Sequence, residues 1–175
     1  MEGDHDAFSE LARSAMDRQY AIATLILRDS ERARDAVQES LIAAWRDIHA
    51  LRDPMKWEAW LHRLTVRACY RSAKKERRRS SVELHVIAEP PPDPGAHFAL
   101  SVEERDRMER ELGRLTVDQR AVMVLHFYAD LTLQQAADVL EIPVGTAKSR
   151  LHYGLRALRA SMTDGEAGRR GERIA

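Results

Sequence analysis

The sequence predicts an all-α protein made of two small helical domains joined by a proline-rich connection. Three observations carry this. Apolar residues recur at helical spacing, while Val, Ile and Thr are scattered without alternating runs, so strands lack support. Ser, Thr and Asp stand repeatedly where helices should start. The stretch SSVELHVIAEPPPDPGAHFALS (residues 80–101) concentrates prolines that disfavour helix and favour an extended, semi-stiff link. The expected organisation is a first domain over 1–79, the connection over 80–101, a second domain over 102–162 and a glycine- and charge-rich tail over 163–175, read as frayed.

The first helix is expected from about Asp6 to Arg28, with Phe8, Leu11, Ala12, Ala15, Tyr20, Ala23 and Ile26 as core. The second starts after Ser30, an N-cap, and runs to about His49. On a 3.6-residue wheel Ala33, Val37, Leu41, Ala44, Trp45 and Ile48 make its buried stripe. The opposite face carries Asp35, Gln38, Glu39, Ile42 and Arg46. An apolar Ile42 amid acidic and polar neighbours fits a docking patch, although single surface apolars are also ordinary. The third helix opens with Asp53 as cap and Pro54 in the favoured first position, and continues to about Arg79. It buries Trp57, Leu61, Leu64, Ala68 and Ser72. Its outer face is a basic stripe of Lys56, Arg63, Arg67, Tyr70, Lys74 and Arg77, with Trp60 at the edge. Cations attract phosphates, and an aromatic among them offers a surface for an unstacked base.

The second block has a helix over Val102–Arg114, then a capping box at Thr116 and Gln119 that opens a helix to about Tyr128. A second capping box at Thr132 and Gln135 starts a short helix with Leu133, Ala136, Ala137 and Leu140 inside. Pro143 ends it. The next helix puts Ala147, Leu151, Leu155 and Leu158 inside, and presents Gly145, Ser149, His152 and Arg156 outside, flanked by Thr146, Lys148 and Tyr153. That is the layout of a DNA-reading helix-turn-helix. Ser149 and His152 suit base edges, Lys148 and Arg156 suit phosphate or guanine, and Gly145 permits close approach. Arg150 lies nearer the flank and suits phosphate or a neighbouring helix.

Composition narrows the function. Lys+Arg and Asp+Glu both number 28, yet RACYRSAKKERRR (residues 67–79) is strongly basic and the following stretch acidic, which sets separate surfaces for separate partners. The single cysteine, Cys69, excludes a disulfide framework and a cysteine-rich zinc site. The histidines have no metal-binding spacing, and no glycine-rich phosphate loop or GxSxG serine occurs. No catalytic, cofactor-binding or metal-binding residue is expected, and no small-molecule substrate. The acidic start MEGDHDAF has no apolar signal core and no stretch approaches a membrane span, so the reading is a cytoplasmic protein without membrane insertion.

Together these residues resemble the extracytoplasmic-function (ECF) group of bacterial RNA polymerase sigma factors, over nearly the whole chain. RARDAVQESLIAAWRDI (residues 32–48) looks like the group's region 2.2, with its D-x-x-Q-E core at Asp35, Gln38 and Glu39. WEAWLHRL (residues 57–64) looks like region 2.3. Residues 113–159, ending in GTAKSRLHYGLRALR, look like regions 4.1 and 4.2. The resemblance implies a transcription initiation factor that is not an enzyme. It implies that Asp35, Gln38, Glu39 and Ile42 grip the polymerase β′ coiled coil, and that the second domain meets the β flap. It implies that Lys56, Trp60, Arg63, Arg67, Tyr70 and Lys74 bind the −10 promoter element, with a flipped base captured at the loop HALRDPM (residues 49–55). Gly145, Thr146, Lys148, Ser149, Arg150, His152, Tyr153 and Arg156 would bind the −35 element, and the linker would thread the polymerase channel. An anti-sigma factor is a further implied partner, and no additional C-terminal domain is implied. Many members carry Asn where Arg67 stands and Asp where Arg71 stands, so this chain is more basic there. Two other readings explain part of the residues: a dimeric stand-alone helix-turn-helix regulator, and an adaptor that binds only protein.

Overall fold

The computed structural model describes residues 2–80 and 110–172, with side chains over 6–79 and 110–160. Apart from Ser80, the expected connection lies outside the described residues. So does most of the helix expected over Val102–Arg114, of which residues 110–113 are helical. Helices α1 (Glu2–Leu27), α2 (Ser30–Asp47) and α3 (Trp57–Ser80) form the N-terminal bundle. Single 3-10 turns at Ile48–Ala50 and Pro54–Lys56 build the loop between α2 and α3. Then come α4 (Val117–Met123), continued by a π turn over Val124–Tyr128, α5 (Leu133–Leu140) and α6 (Val144–Glu172). No strand occurs among the described residues. Helix α6 runs past the domain end expected at residue 162.

Local chemistry sets most helix starts. Both capping boxes form: Thr116 and Gln119 exchange hydrogen bonds, as do Thr132 and Gln135. Asp53 accepts from the Met55 amide at 3.0 Å, with Pro54 first in the turn. The start of α2 differs from expectation. Asp29, not Ser30, is the cap, and its Oδ1 accepts from the Arg32 amide at 2.9 Å. The two residues have similar cap preference, but the aspartate adds a charge favourable to the helix dipole.

The bundle core centres on Ile22, Ile26, Val37, Val66 and Cys69, with Ala23, Ala33, Ala36, Ala68 and Ala73 letting the helices approach closely. A second cluster joins Ala44, Trp57 and Leu61 to Phe8, Trp60 and Leu64. Phe8 meets Trp45 edge-on at 5.0 Å and Trp57 at 6.0 Å. Two residues expected in the core are not. Leu11 is 44% exposed and Trp45 43% exposed. Their wheel positions lie at the margin of the apolar stripe, where no third element among the described residues covers them, and Trp45 packs edge-on against Phe8 instead of entering the core.

The core does not stop at the first domain. Ala121, Val124, Leu125, Ala129, Ala136 and Val139 belong to the same apolar cluster as Ile26, Val66 and Cys69. The two helical blocks therefore share a seam. Polar contacts reinforce it: Arg18 Nη2 donates to the Ala129 carbonyl at 3.1 Å, and the buried Arg120 Nε donates to the Ile26 carbonyl at 2.7 Å.

One polar network lies inside the bundle. Gln19 Nε2 is 2.9 Å from His62 Nδ1, Thr65 Oγ1 donates to Gln19 Oε1 at 2.9 Å, and Ser40 Oγ donates to the Val37 carbonyl at 2.7 Å. Burial, then the Arg18 charge, lowers the His62 pKa to about 4. The unfolded chain, whose histidine titrates near its ordinary value, then binds more protons than the fold below about pH 6.5. Stability is full above that pH and is lost progressively as pH falls towards about 4. Between pH 7 and pH 5 the loss from this group is about 2 kcal/mol. Urea unfolding of the chain and of His62→Gln at both pH values checks this. Equal acid sensitivity of the two would exclude His62 as the cause.

Candidate nucleic-acid interface

Three surfaces stand apart on the folded chain. The first is on α2, where Asp35, Gln38, Glu39 and Ile42 are all exposed, Ile42 by 59%. Beside it runs an apolar groove between α1 and α2 of about 700 Å³, lined by Phe8, Met16, Tyr20, Leu41, Ile42 and Trp45, with Asp17, Arg34 and Gln38 at its rim. The groove was missed in the sequence. Its signal was present in Met16, Leu41 and Trp45, which make the apolar arcs of α1 and α2 wider than one core contact needs.

The second surface is on α3. Lys56, Arg67 and Lys74 are exposed, while Trp60, Arg63 and Tyr70 are half-buried. Trp60 leans on Trp57 at 5.8 Å, at the mouth of the loop over 49–55, where Met55 is 91% exposed. The stripe is not a free outer face. Arg67 makes an ion pair with Glu141. Arg63 Nη2 lies 3.4 Å from the Asp138 carbonyl. Tyr70 faces Asp118 and Arg150, and burial first, then the Asp118 charge, pushes its phenol well above the usual range. Arg71 pairs with Glu39 at 3.0 Å. Partners for Arg63, Arg67 and Arg71 thus come from other helices.

The third surface is the helix-turn-helix. Helix α5 ends in a Schellman arrangement, with the Ile142 amide donating to Ala137 and the Glu141 amide to Asp138, at 3.1 and 3.3 Å. Glu141 is left-handed, φ 55°, a conformation that costs a non-glycine residue about 1 kcal/mol. The Pro143 carbonyl then accepts from Thr146 and Ala147 to start α6. Val122, Ala137 and Ala147 pin the two helices together with Leu133, Leu140 and Leu151. Gly154 is buried where α6 crosses α4, and a Cβ there would meet Met123 Sδ at 2.9 Å. The outer face presents Gly145, Lys148, Ser149, His152, Tyr153 and Arg156, all exposed, with Thr146 half-buried. Among the described residues nothing lies within 4 Å of where a Gly145 side chain would start, which leaves the backbone there open to close approach. Arg150 is the exception. It turns inward to Asp118 at 3.3 Å.

No group of three or more His, Cys, Asp or Glu suited to a metal occurs among the described residues, and no described helix is long and apolar enough to cross a membrane. Cys69 is fully buried, and burial pushes its thiol up to about 12, which removes it as a nucleophile.

Two family patterns match the two halves: "Sigma-70 region 2" over residues 11–79 and "Sigma-70, region 4" over residues 112–160. The ECF RNA polymerase sigma factor SigK of Mycolicibacterium vanbaalenii is 33% identical, over 89% of this chain and 82% of its own. SigM of Mycobacterium tuberculosis is 31% identical over 85% and 73%. The fold is similar to that of the sigma factor RpoE from Bartonella quintana, solved in complex with the anti-sigma factor NepR, with TM-score 0.75, 22% identity and coverage of 90% and 97%. Both domains, in this order and at this level of identity, show that the chain belongs to the ECF RNA polymerase sigma factors.

Proposed function

We propose that the chain joins core RNA polymerase and directs it to promoters through three separate surfaces. Asp35, Gln38, Glu39 and Ile42 on α2 dock on the β′ coiled coil. The α3 stripe and the loop over 49–55 open and bind the −10 element, and the outer face of α6 reads the −35 element as duplex. Residues 1–79 and 102–162 act as the two modules, linked by 80–101 and followed by the tail from 163. The second module meets the β flap. The carrying observation is that one chain holds an exposed acidic and apolar face on α2 and an exposed, acid-free face on a helix-turn-helix. A stand-alone regulator leaves the α2 face without a task, and an adaptor leaves α6 without one. The chain works in the cytoplasm, catalyses no reaction itself and is restrained by an anti-sigma factor, as the similar fold bound to NepR supports.

A formally neutral chain need not hold DNA alone, because polymerase supplies affinity and two linked modules raise effective concentration. Run-off transcription with purified core polymerase and a promoter panel, with and without the chain, is the test. Specific initiation is expected only when the chain is present. The free chain is expected to bind promoter duplex weakly, with a steep salt dependence. Tight, salt-insensitive binding without polymerase would instead favour the stand-alone regulator.

A further inference from the structure

The corner between α1 and α2 gathers guanidinium groups. Arg28 follows α1 directly, and Arg32 lies in the first turn of α2. Arg120 arrives from α4, with Nε on the Ile26 carbonyl at 2.7 Å and Nη1 on the Leu112 carbonyl at 3.1 Å. The Arg28 guanidinium lies against Gly113, so closely that a Cβ there would collide with it. Arg28 and Arg120 therefore meet the same short stretch of chain, residues 112–113. Burial, then the charges of Arg28 and Arg32, lowers the Arg120 pKa, so all three cations sense one another.

Arg28 is the unusual member. It is left-handed, φ 57°, just past a helix end, where glycine would be unstrained. Its Nε is buried without a hydrogen bond among the described residues, which is rare in a folded chain. No carboxylate pairs with its guanidinium among the described residues. Backbone strain, an unsatisfied donor and like-charged neighbours all fall on one residue, and glycine would avoid all three. Strain of this kind persists where a side chain has a task outside the fold. Arg32 is partly engaged: its Nε donates to Ser72 Oγ at 3.2 Å, and its Nη1 lies 4.0 Å from Glu76.

We infer that Arg28 and Arg32 form a binding site for a compact phosphate anion, the diphosphate group of a small ligand, with Arg120 adding charge from beneath. The planar fork of Arg28 suits bidentate contact with phosphate oxygens. Arg120 has its donors engaged on carbonyls and contributes charge alone. Acids border the corner: Asp29 caps α2 and Glu76 stands beside Arg32. They disfavour an extended polyanion and favour a small one gripped by the guanidinium groups themselves. The corner is also remote from the loop over 49–55. Ser72, which Arg32 touches, lies about 22 Å along α3 from Trp57. The site therefore stands apart from every surface assigned above to DNA, and it does not depend on those assignments.

Isothermal titration of the full chain with inorganic diphosphate, at fixed ionic strength, tests the site. One equivalent is expected to bind with Kd below about 1 mM. Thermal unfolding should shift upwards by about 3 °C at about ten times Kd. Arg28→Gly removes the guanidinium and relieves the left-handed backbone, so the fold is kept, as circular dichroism can verify. Its affinity should fall at least about tenfold, and that of Arg32→Gln about threefold, since Arg32 is shared with Ser72 and Glu76. No binding by the unmodified chain, or undiminished binding by folded Arg28→Gly, would overturn the site. A nucleoside diphosphate that binds more tightly than inorganic diphosphate, and also depends on Arg28, would support it and add a nucleoside to the ligand. A short DNA duplex that displaces diphosphate and itself loses affinity in Arg28→Gly would overturn the small-ligand assignment and give the corner to nucleic acid.

Discussion

Reversing charge at Asp35 and Glu39 together is expected to lower affinity for core polymerase at least about 100-fold and to abolish initiation. Both side chains are exposed on one face of α2, next to an Ile42 that is 59% exposed. An exposed isoleucine ringed by charge is the anatomy of an interface centre. Acids at the rim steer a basic partner and, once desolvated, leave its cations unpaired if removed. Losing one partner of such a pair costs about 2–5 kcal/mol, and reversal adds repulsion. The fold itself should survive Asp35→Arg/Glu39→Arg. Glu39 makes only an exposed pair with Arg71, and such pairs contribute at most about 1 kcal/mol. Fluorescence anisotropy with labelled chain and core polymerase measures the first effect, and circular dichroism checks the second. Undiminished binding by a folded variant would move the polymerase contact off α2.

What could be read in the sequence was local. The capping boxes at Thr116 and Thr132 rest on groups three residues apart, so the residues alone specify them. The outward faces of α2 and α6 were legible for a similar reason. Each helix has one buried side, and the 3.6-residue period places the opposite one in solvent. The α3 stripe reads in the sequence as an outer face because its helix carries almost no acids to form i,i+4 pairs with these cations. Its partners came from other helices: Glu39 is 32 residues from Arg71, and Glu141 is 74 from Arg67. Arg67 and Arg71 are the two positions where this chain is more basic than the ECF pattern implies. Both extra charges are used inside the folded chain, one on α2 and one on α5. Leu11 and Trp45 failed for the complementary reason. A wheel says where the stripe lies, but not whether a third element covers its margins.

The second large effect is expected at Arg120, which nothing in the sequence singled out. Arg120→Met should destabilise the chain by about 3 kcal/mol and separate the two halves. Arg120 is 8% exposed. It donates to the Ile26 carbonyl at 2.7 Å, to Leu115 at 2.6 Å and to Leu112 at 3.1 Å. Ile26 lies in the last turn of α1, where carbonyls have no partner within the helix and the helix dipole favours a cation. Leu112 and Leu115 lie in the stretch leading into α4. One side chain therefore satisfies carbonyls on both sides of the seam. Burial, then the neighbouring Arg28 and Arg32 charges, lowers its pKa to about 10, so it stays protonated at neutral pH and keeps its donors. Methionine matches much of its length but offers no donor, leaving three carbonyls to find water or lose their hydrogen bonds. Urea unfolding gives the loss of stability. Small-angle scattering distinguishes a chain that has parted at the seam from one that has only weakened. A variant as stable and compact as the unmodified chain would show that apolar contacts around Leu125 and Val139 hold the halves together without the arginine.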